Sequence, residues 1–167
     1  MRRIAFVLAA AGVLLVTASL ATASGKPTRS LTGNVPFTLP AGVGCAFPTS
    51  YEVLVNGETT TTFPADANGD VRLIVTGKLI SRVTNLDNGK SITLNISGPA
   101  MIVEHPDGSA HALGGGVSAF PFFPTDTPAG PHWWVFTGRL DLTVTAAGNL
   151  VLNGINGTQV DLCPQLA

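Results

Sequence analysis

Three histidines, three glutamates and one adjacent pair of tryptophans are the side chains best able to do chemistry in this 167-residue chain. His105 and His111 stand on the two arms of a tight turn at Pro106-Asp107-Gly108, with Glu104 beside them. Imidazoles and a carboxylate in such proximity could hold a metal ion. Zinc sites, however, use compact spacings such as His-x-x-x-His, which the chain lacks. A solvated hairpin is the simpler reading, and neither metal nor cofactor is expected. Glycoside hydrolysis needs two carboxyls across an open cleft, and nothing in the sequence sets any two of Glu52, Glu58 and Glu104 opposite each other. No Gly-x-Ser-x-Gly nucleophile elbow occurs. The run Gly114-Gly115-Gly116 lacks the helix and lysine that a phosphate loop requires. Asn95-Ile96-Ser97 and Asn156-Gly157-Thr158 match the short glycosylation sequon. Catalytic residues stay unassigned.

The tryptophans lie in GPHWWVFTG, residues 130–138. Neighbours on a strand face opposite sides, so both cannot point into one core. Leu140, Leu142 and Val144 set an inward register against Asp141, Thr143 and Thr145. Counting back by twos places Gly138, Phe136, Trp134 and His132 inward, with Trp133 and Val135 outward. Trp134 then reads as a core plug. Trp133 is either covered, by the PFFP segment or the N-terminal segment, or it is a contact patch for a ligand, a glycan or a protein. One bulge between Trp134 and Leu140 would exchange the two. The candidate ligand-binding residues are accordingly Trp133, Trp134, Phe136, His132 and Phe122.

Strands must position these groups, because no helical period runs through the chain after Gly25. Leu31 to Leu39 reads as a first strand weakened by Pro36, and Tyr51 to Phe63 as a hairpin about Asn56-Gly57. Val71 to Leu86 alternates, with a bend expected at Gly77. Leu86 to Lys90 forms a turn into a strand on which Ile92, Leu94 and Ile96 face inward, and a second hairpin turns at Pro106-Asp107-Gly108. The proline-rich FPFFPTDTPAGP is an edge, a loop or a lid. A long strand runs from His132 to Thr145 and returns, after Ala146 to Asn149, as the last strand. The turn spacing predicts an all-β antiparallel meander of about eight to ten strands, closed as a barrel or stacked as a β-sandwich.

The chain opens with Arg2 and Arg3, an apolar run from Ile4 to Leu20, and Ala21-Thr22-Ala23. That is the pattern of a secretory signal peptide over residues 1–23; the rival reading is an uncleaved anchor. Residues 24–167 then form a single all-β domain, with 24–30 a flexible leader. Cutting 23 of the 167 residues leaves 144, with 7 basic and 10 acidic side chains. Scattered cations of that number give no footprint for nucleic acid, and no membrane span is expected after cleavage. Secretion exposes the two cysteines, Cys45 and Cys163, to an oxidising compartment, where an even pair reads as a disulfide.

TNLDNGKSITLNISGP, HPDGSAHAL, FTGRLDLTV and the closing VDLC resemble a group of small secreted actinobacterial proteins with no assigned activity. The likeness covers Val71 to Cys163. Some proteins of this kind look like the allene oxide cyclase barrel, an eight-stranded relative of the calycins. The resemblance implies a closed barrel with an apolar interior, and it transfers no catalytic residue. The expected function is a secreted, non-enzymatic binding or envelope-associated module for a small hydrophobic ligand, lined by Leu73, Ile92, Leu94, Trp134 and Phe136. The alternatives are a barrel-type enzyme using Glu52 or Glu104 on an apolar substrate, or an adhesive surface protein presenting Trp133 and Phe120 to Phe123.

Overall fold

Alternating β-branched and polar residues fold into twelve strands over residues 25–167, the residues this computed structural model describes, and each strand pairs with its neighbours antiparallel. The signal-peptide reading lies outside the described residues. β1 (Thr28–Leu31) and β2 (Phe37–Leu39) are followed by β3 (Thr49–Asn56), β4 (Thr59–Thr62), β5 (Val71–Thr76) and β6 (Leu79–Asn85). Then come β7 (Ser91–Asn95), β8 (Ala100–Glu104), β9 (Ala110–Gly114) and β10 (Val117–Phe122). β11 (His132–Val144) and β12 (Leu150–Asp161) are the longest, and a single-turn helix α1 (Cys163–Leu166) ends the chain. One sheet orders β1-β4-β5-β8-β9-β11-β10 with β12 on β11; the other orders β2-β3-β6-β7.

The strand count exceeds the eight to ten expected because long strands are broken by kinks. β3 and β4 run on through Gly57 with one partner, the chain of β5 and β6, so that Thr62 faces Leu73 and Asn56 faces Leu79. Residues Ser91 to Glu104 and Ala110 to Phe122 are kinked in the same way at Gly98 and at Gly115-Gly116. Hydrogen bonds carry the ladder across the kinks: Gly57 N–H to Lys78 O, Gly115 N–H to Pro99 O and Gly138 N–H to Gly116 O, at 2.7 to 2.9 Å. Gly138 is in turn the register partner of Gly157. A row of glycines thus crosses the meander. Backbones there approach too closely for side chains: a Cβ on Gly77 would stand 2.3 Å from Gly57 O, and one on Gly98 would stand 2.0 Å from Gly115 O.

Chain length shows how sharply the row bends the sheet. Phe122 sits beside His132, while five residues later Thr127 bridges to Val151, whose partner is Thr143. On a straight ribbon His132 and Thr143 would lie about 36 Å apart, at ~3.3 Å per residue. Five residues reach at most about 18 Å. The β11–β12 ribbon therefore folds back on itself, at Gly138 (φ 109°) and Gly157 (φ 152°). The closing loop is pinned by Asp126, a buried carboxylate that accepts N–H bonds from Phe123 and Leu150.

Two apolar clusters result. Phe122, Phe136, Leu140, Leu142 and Leu150 fill one. Leu39, Tyr51, Val83, Trp133, Leu162 and Leu166 build the other, with Cys45. The Cys45–Cys163 disulfide closes it, its Cα atoms 5.6 Å apart, and Asn85 Nδ2 donates to Leu166 O to hold α1 in place.

Several expectations need correction. The two sheets are sandwich-like, and among the described residues no ladder closes them into a barrel. Asn56-Gly57 is not a hairpin turn; the chain kinks there and runs on in the same direction, because the Asn56 side chain is engaged by Thr32 O and Glu58 N–H. Thr28 to Ser30, expected in the leader, pair with β4. The proline-rich segment begins at an edge, one of the alternatives expected for it: Phe120 to Phe122 form the end of an edge strand on β11, Pro121 included. Of the two alternatives for Trp133 the structure shows the covered one: it is 1 % exposed, because Phe37 of the N-terminal segment and Tyr51 stack on it. Trp134 is half-buried against the second cluster, on the same register as buried Phe136, Leu140 and Leu142.

Two outcomes follow. Gly157→Ala should lower stability by about 2–4 kcal/mol, since its Cβ would meet Thr137 O at 1.8 Å, whereas Gly154→Ala, with open space around it, should stay within about 0.5 kcal/mol. Paired Cys45→Ala and Cys163→Ala should remove about 4–5 kcal/mol, given a sequence separation of 118. Denaturant unfolding measures both.

Candidate functional site

Between the two sheets lies a cavity of about 150 Å³. One wall of it is built of unusually small residues. Ala110, Ala112 and Gly114 share one face of β9, and their register partners on β8 include Ile102 and Ala100. On the other side of β9, Leu140, Leu142 and Val144 face the same three positions and complete the apolar lining. Interiors are normally filled to crystal-like density, so three small residues in register leave unfilled space.

The far end of the cavity is polar. Tyr51 and Glu58 both line it, and both are more than nine-tenths buried, at 9 % and 7 % exposed. Local geometry delivers Glu58 to the interior. β3 is bulged between Val53 and Val55, and the kink at Gly57 follows immediately. Asn56 Oδ1 accepts the Glu58 N–H at 3.1 Å, fixing the elbow. Asn34, from the segment between β1 and β2, donates to Glu58 Oε2 at 2.9 Å. Burial pushes the Glu58 carboxyl above its ordinary range, and the Asn34 hydrogen bond only tempers this. Burial likewise raises the Tyr51 phenol; nearby Ser81 tempers the rise and the charge of Glu58 adds to it. Ser81 Oγ makes no hydrogen bond of acceptable geometry, so its tempering is through proximity. Trp133, stacked on Tyr51 with ring centroids 6.3 Å apart, adds an indole N–H without an acceptor among the described residues.

Of the residues singled out from the sequence, Trp133 lines this cavity. Trp134, Phe136 and Phe122 belong to the second cluster, outside the cavity lining, and Ile92 and Leu94 pack half-buried against the first. His132 bonds Asp161 at 2.7 Å and lies against Trp134. His105 and His111 are not brought together: each has its own aspartate, Asp70 at 2.9 Å and Asp141 at 2.8 Å. Among the described residues no three metal-ligating side chains converge. Glu52 forms a half-exposed ion pair with Arg82 at 2.6 Å, and Glu104 is half-buried with its carboxyl pushed up by burial. The sequence reading missed Glu58, Tyr51 and Asn34 as a group. The signal available was the small-residue alternation Ala110-x-Ala112-x-Gly114 on a strand with an otherwise ordinary pattern.

Chemically, the cavity offers an apolar body of space and one carboxyl–phenol pair at its end. No histidine, lysine or cysteine lines it. Compared with protein-family models, with curated proteins and with solved structures, the chain matches none.

Glu58→Gln tests the buried carboxyl. A carboxyl raised by burial supports folding while protonated and loses that support as pH rises through its raised value. The variant should thus exceed the parent in melting temperature by a few degrees at pH 7–8. The advantage should vanish below the ordinary glutamate value of 4.5.

Proposed function

We propose that this protein is an exported, disulfide-closed binding module that takes a small hydrophobic ligand into the cavity between its sheets. The observation that carries the reading is the in-register row Ala110, Ala112 and Gly114, which keeps about 150 Å³ open in an apolar surrounding. A wholly apolar cavity of about that size admits benzene, and this one is apolar apart from Thr32, Asn34, Tyr51, Glu58, Ser118 and the Trp133 indole N–H. Export agrees with both cysteines being paired, since such bonds persist in oxidising compartments. The resemblance to small secreted actinobacterial proteins stays part of the proposal, because it implies export and an apolar interior.

A second reading, catalysis on an apolar substrate, has one observation in its favour: buried Glu58 beside Tyr51. Glu52 and Glu104 do not line the cavity, and a lone carboxyl lacks the partner that acid–base hydrolysis uses. The adhesive reading loses its main element because Trp133 is buried.

Native mass spectrometry of protein recovered from the medium of producing cells should reveal a small noncovalent adduct. Benzene at tenfold its dissociation constant should stabilise the fold by about 1.4 kcal/mol, a few degrees in melting temperature. Ala112→Leu should fill the cavity and abolish both effects while the protein still folds. No adduct and no benzene response in the parent would sink the reading.

A further inference from the structure

Besides the Trp133 indole N–H and Ser118 Oγ, the polar side-chain atoms of the cavity lining without a hydrogen bond among the described residues include Tyr51 Oη and Glu58 Oε1. Neither makes a hydrogen bond of good geometry to the described residues: Asn34 takes only Glu58 Oε2, and Ser81 Oγ stands beside the Tyr51 phenol without bonding it. Nor is either sealed in by protein: the fully enclosed, unpaired side-chain atoms are those of Thr49, Ser81, Trp133 and Trp134. Two residues that are more than nine-tenths buried thus keep one reachable polar atom each, and the cavity is what both residues line. The Tyr51 ring cannot swing away, because Phe37 stacks on it at 5.0 Å and Trp133 at 6.3 Å.

A phenol O–H donates, and a carboxyl oxygen accepts. A hydroxyl answers either kind of group, accepting from the first and donating to the second. A hydrocarbon would leave both groups unpaired in an apolar surrounding, which is costly. An anionic carboxylate would be repelled by Glu58. An ammonium brings donors and no acceptor for the Tyr51 proton, and burying an ion pair forfeits the hydration of both charges. Resting on the cavity reading above, we infer that the ligand is a compact apolar molecule of roughly six to nine non-hydrogen atoms with a single hydroxyl, held by Tyr51 and Glu58.

Calorimetric titration of the disulfide-intact protein at pH 7 with toluene, phenol, benzylamine and benzoate tests this without altering the chain. Phenol should bind at least about tenfold more tightly than toluene, as sites with buried polar groups discriminate against analogues that leave them unpaired, and benzoate should not bind. Tyr51→Phe keeps the stacked ring and removes only the hydroxyl. It should reduce the preference for phenol to less than about threefold while leaving the toluene affinity unchanged. Toluene binding as well as phenol would overturn the inference and leave the cavity reading standing. Benzylamine binding most tightly would overturn it in favour of a cationic ligand. Binding by none of the four would remove the cavity reading and this inference with it.

Discussion

The close backbone approach along the glycine row is the constraint on which everything else rests. A twisted antiparallel meander buries one face easily and leaves its ends apart. Here neighbouring strands touch where a Cβ would stand 1.8 to 2.3 Å from a carbonyl oxygen, at Gly157, Gly98 and Gly77. The row lets long strands turn over together while their hydrogen bonds continue across the fold line. Doubling the sheet creates two apolar clusters, and it also decides which side chains meet. Trp133 reaches the Phe37–Tyr51 stack, while Phe136 and Leu140 on the other register reach Phe122.

The cavity is a consequence of that doubling combined with side-chain size. Had Ala110, Ala112 and Gly114 been valine or leucine, Leu140, Leu142 and Val144 opposite them would have met a filled wall. Filling would be the easier route to stability, since buried space forfeits dispersion contacts. The polar end deepens the contrast. Glu58 and Tyr51 are both shifted toward their neutral forms by burial, so the fold carries a desolvation cost at the same place where it leaves space. Costs concentrated at one spot are the usual mark of a site retained for use rather than for folding.

Legibility in the sequence follows the range of the interactions. The hairpins at Leu86 to Lys90 and Pro106 to Gly108 were readable because their turn chemistry is local: Asp107 Oδ1 accepts the Ser109 N–H, and Asn88 Oδ1 accepts the Lys90 N–H. The inward set Phe136, Leu140 and Leu142 was readable because period-2 alternation needs no partner to interpret it. Asn56-Gly57 misled for the opposite reason. Its turn preference is overridden by Thr32 O, 24 residues earlier, which takes the Asn56 amide. For Trp133 alternation gave the face but left its cover open between a folded-over segment and a ligand, because the first half of β11 is covered on both faces and the cover, Phe37, is far away in sequence. Glu58 was visible only as one of three glutamates, and nothing marked it as the buried one. Its environment comes from Asn34 and Tyr51, neither of which is near it in any pattern.

What the buried pair can do is limited by its company. General acid–base catalysis needs a second group in reach to return the proton, and nucleophilic catalysis needs an activated attacker. Burial raises both the Tyr51 phenol and the Glu58 carboxyl, which strengthens Glu58 as a proton acceptor, but the remaining lining, apolar apart from Thr32, Asn34 and Ser118, offers no further group to complete a proton transfer. Thr32 is already bonded to Thr60, and Asn34 to Glu58. A donor and an acceptor held still by stacking and by one amide, facing a largely apolar pocket, suit recognition of a neutral group better than transformation of it. The disulfide and α1 anchor the wall that carries Trp133, so the stack that fixes Tyr51 is tied to both ends of the described chain. Rigidity of the polar end and openness of the apolar end are then two results of one folding pattern.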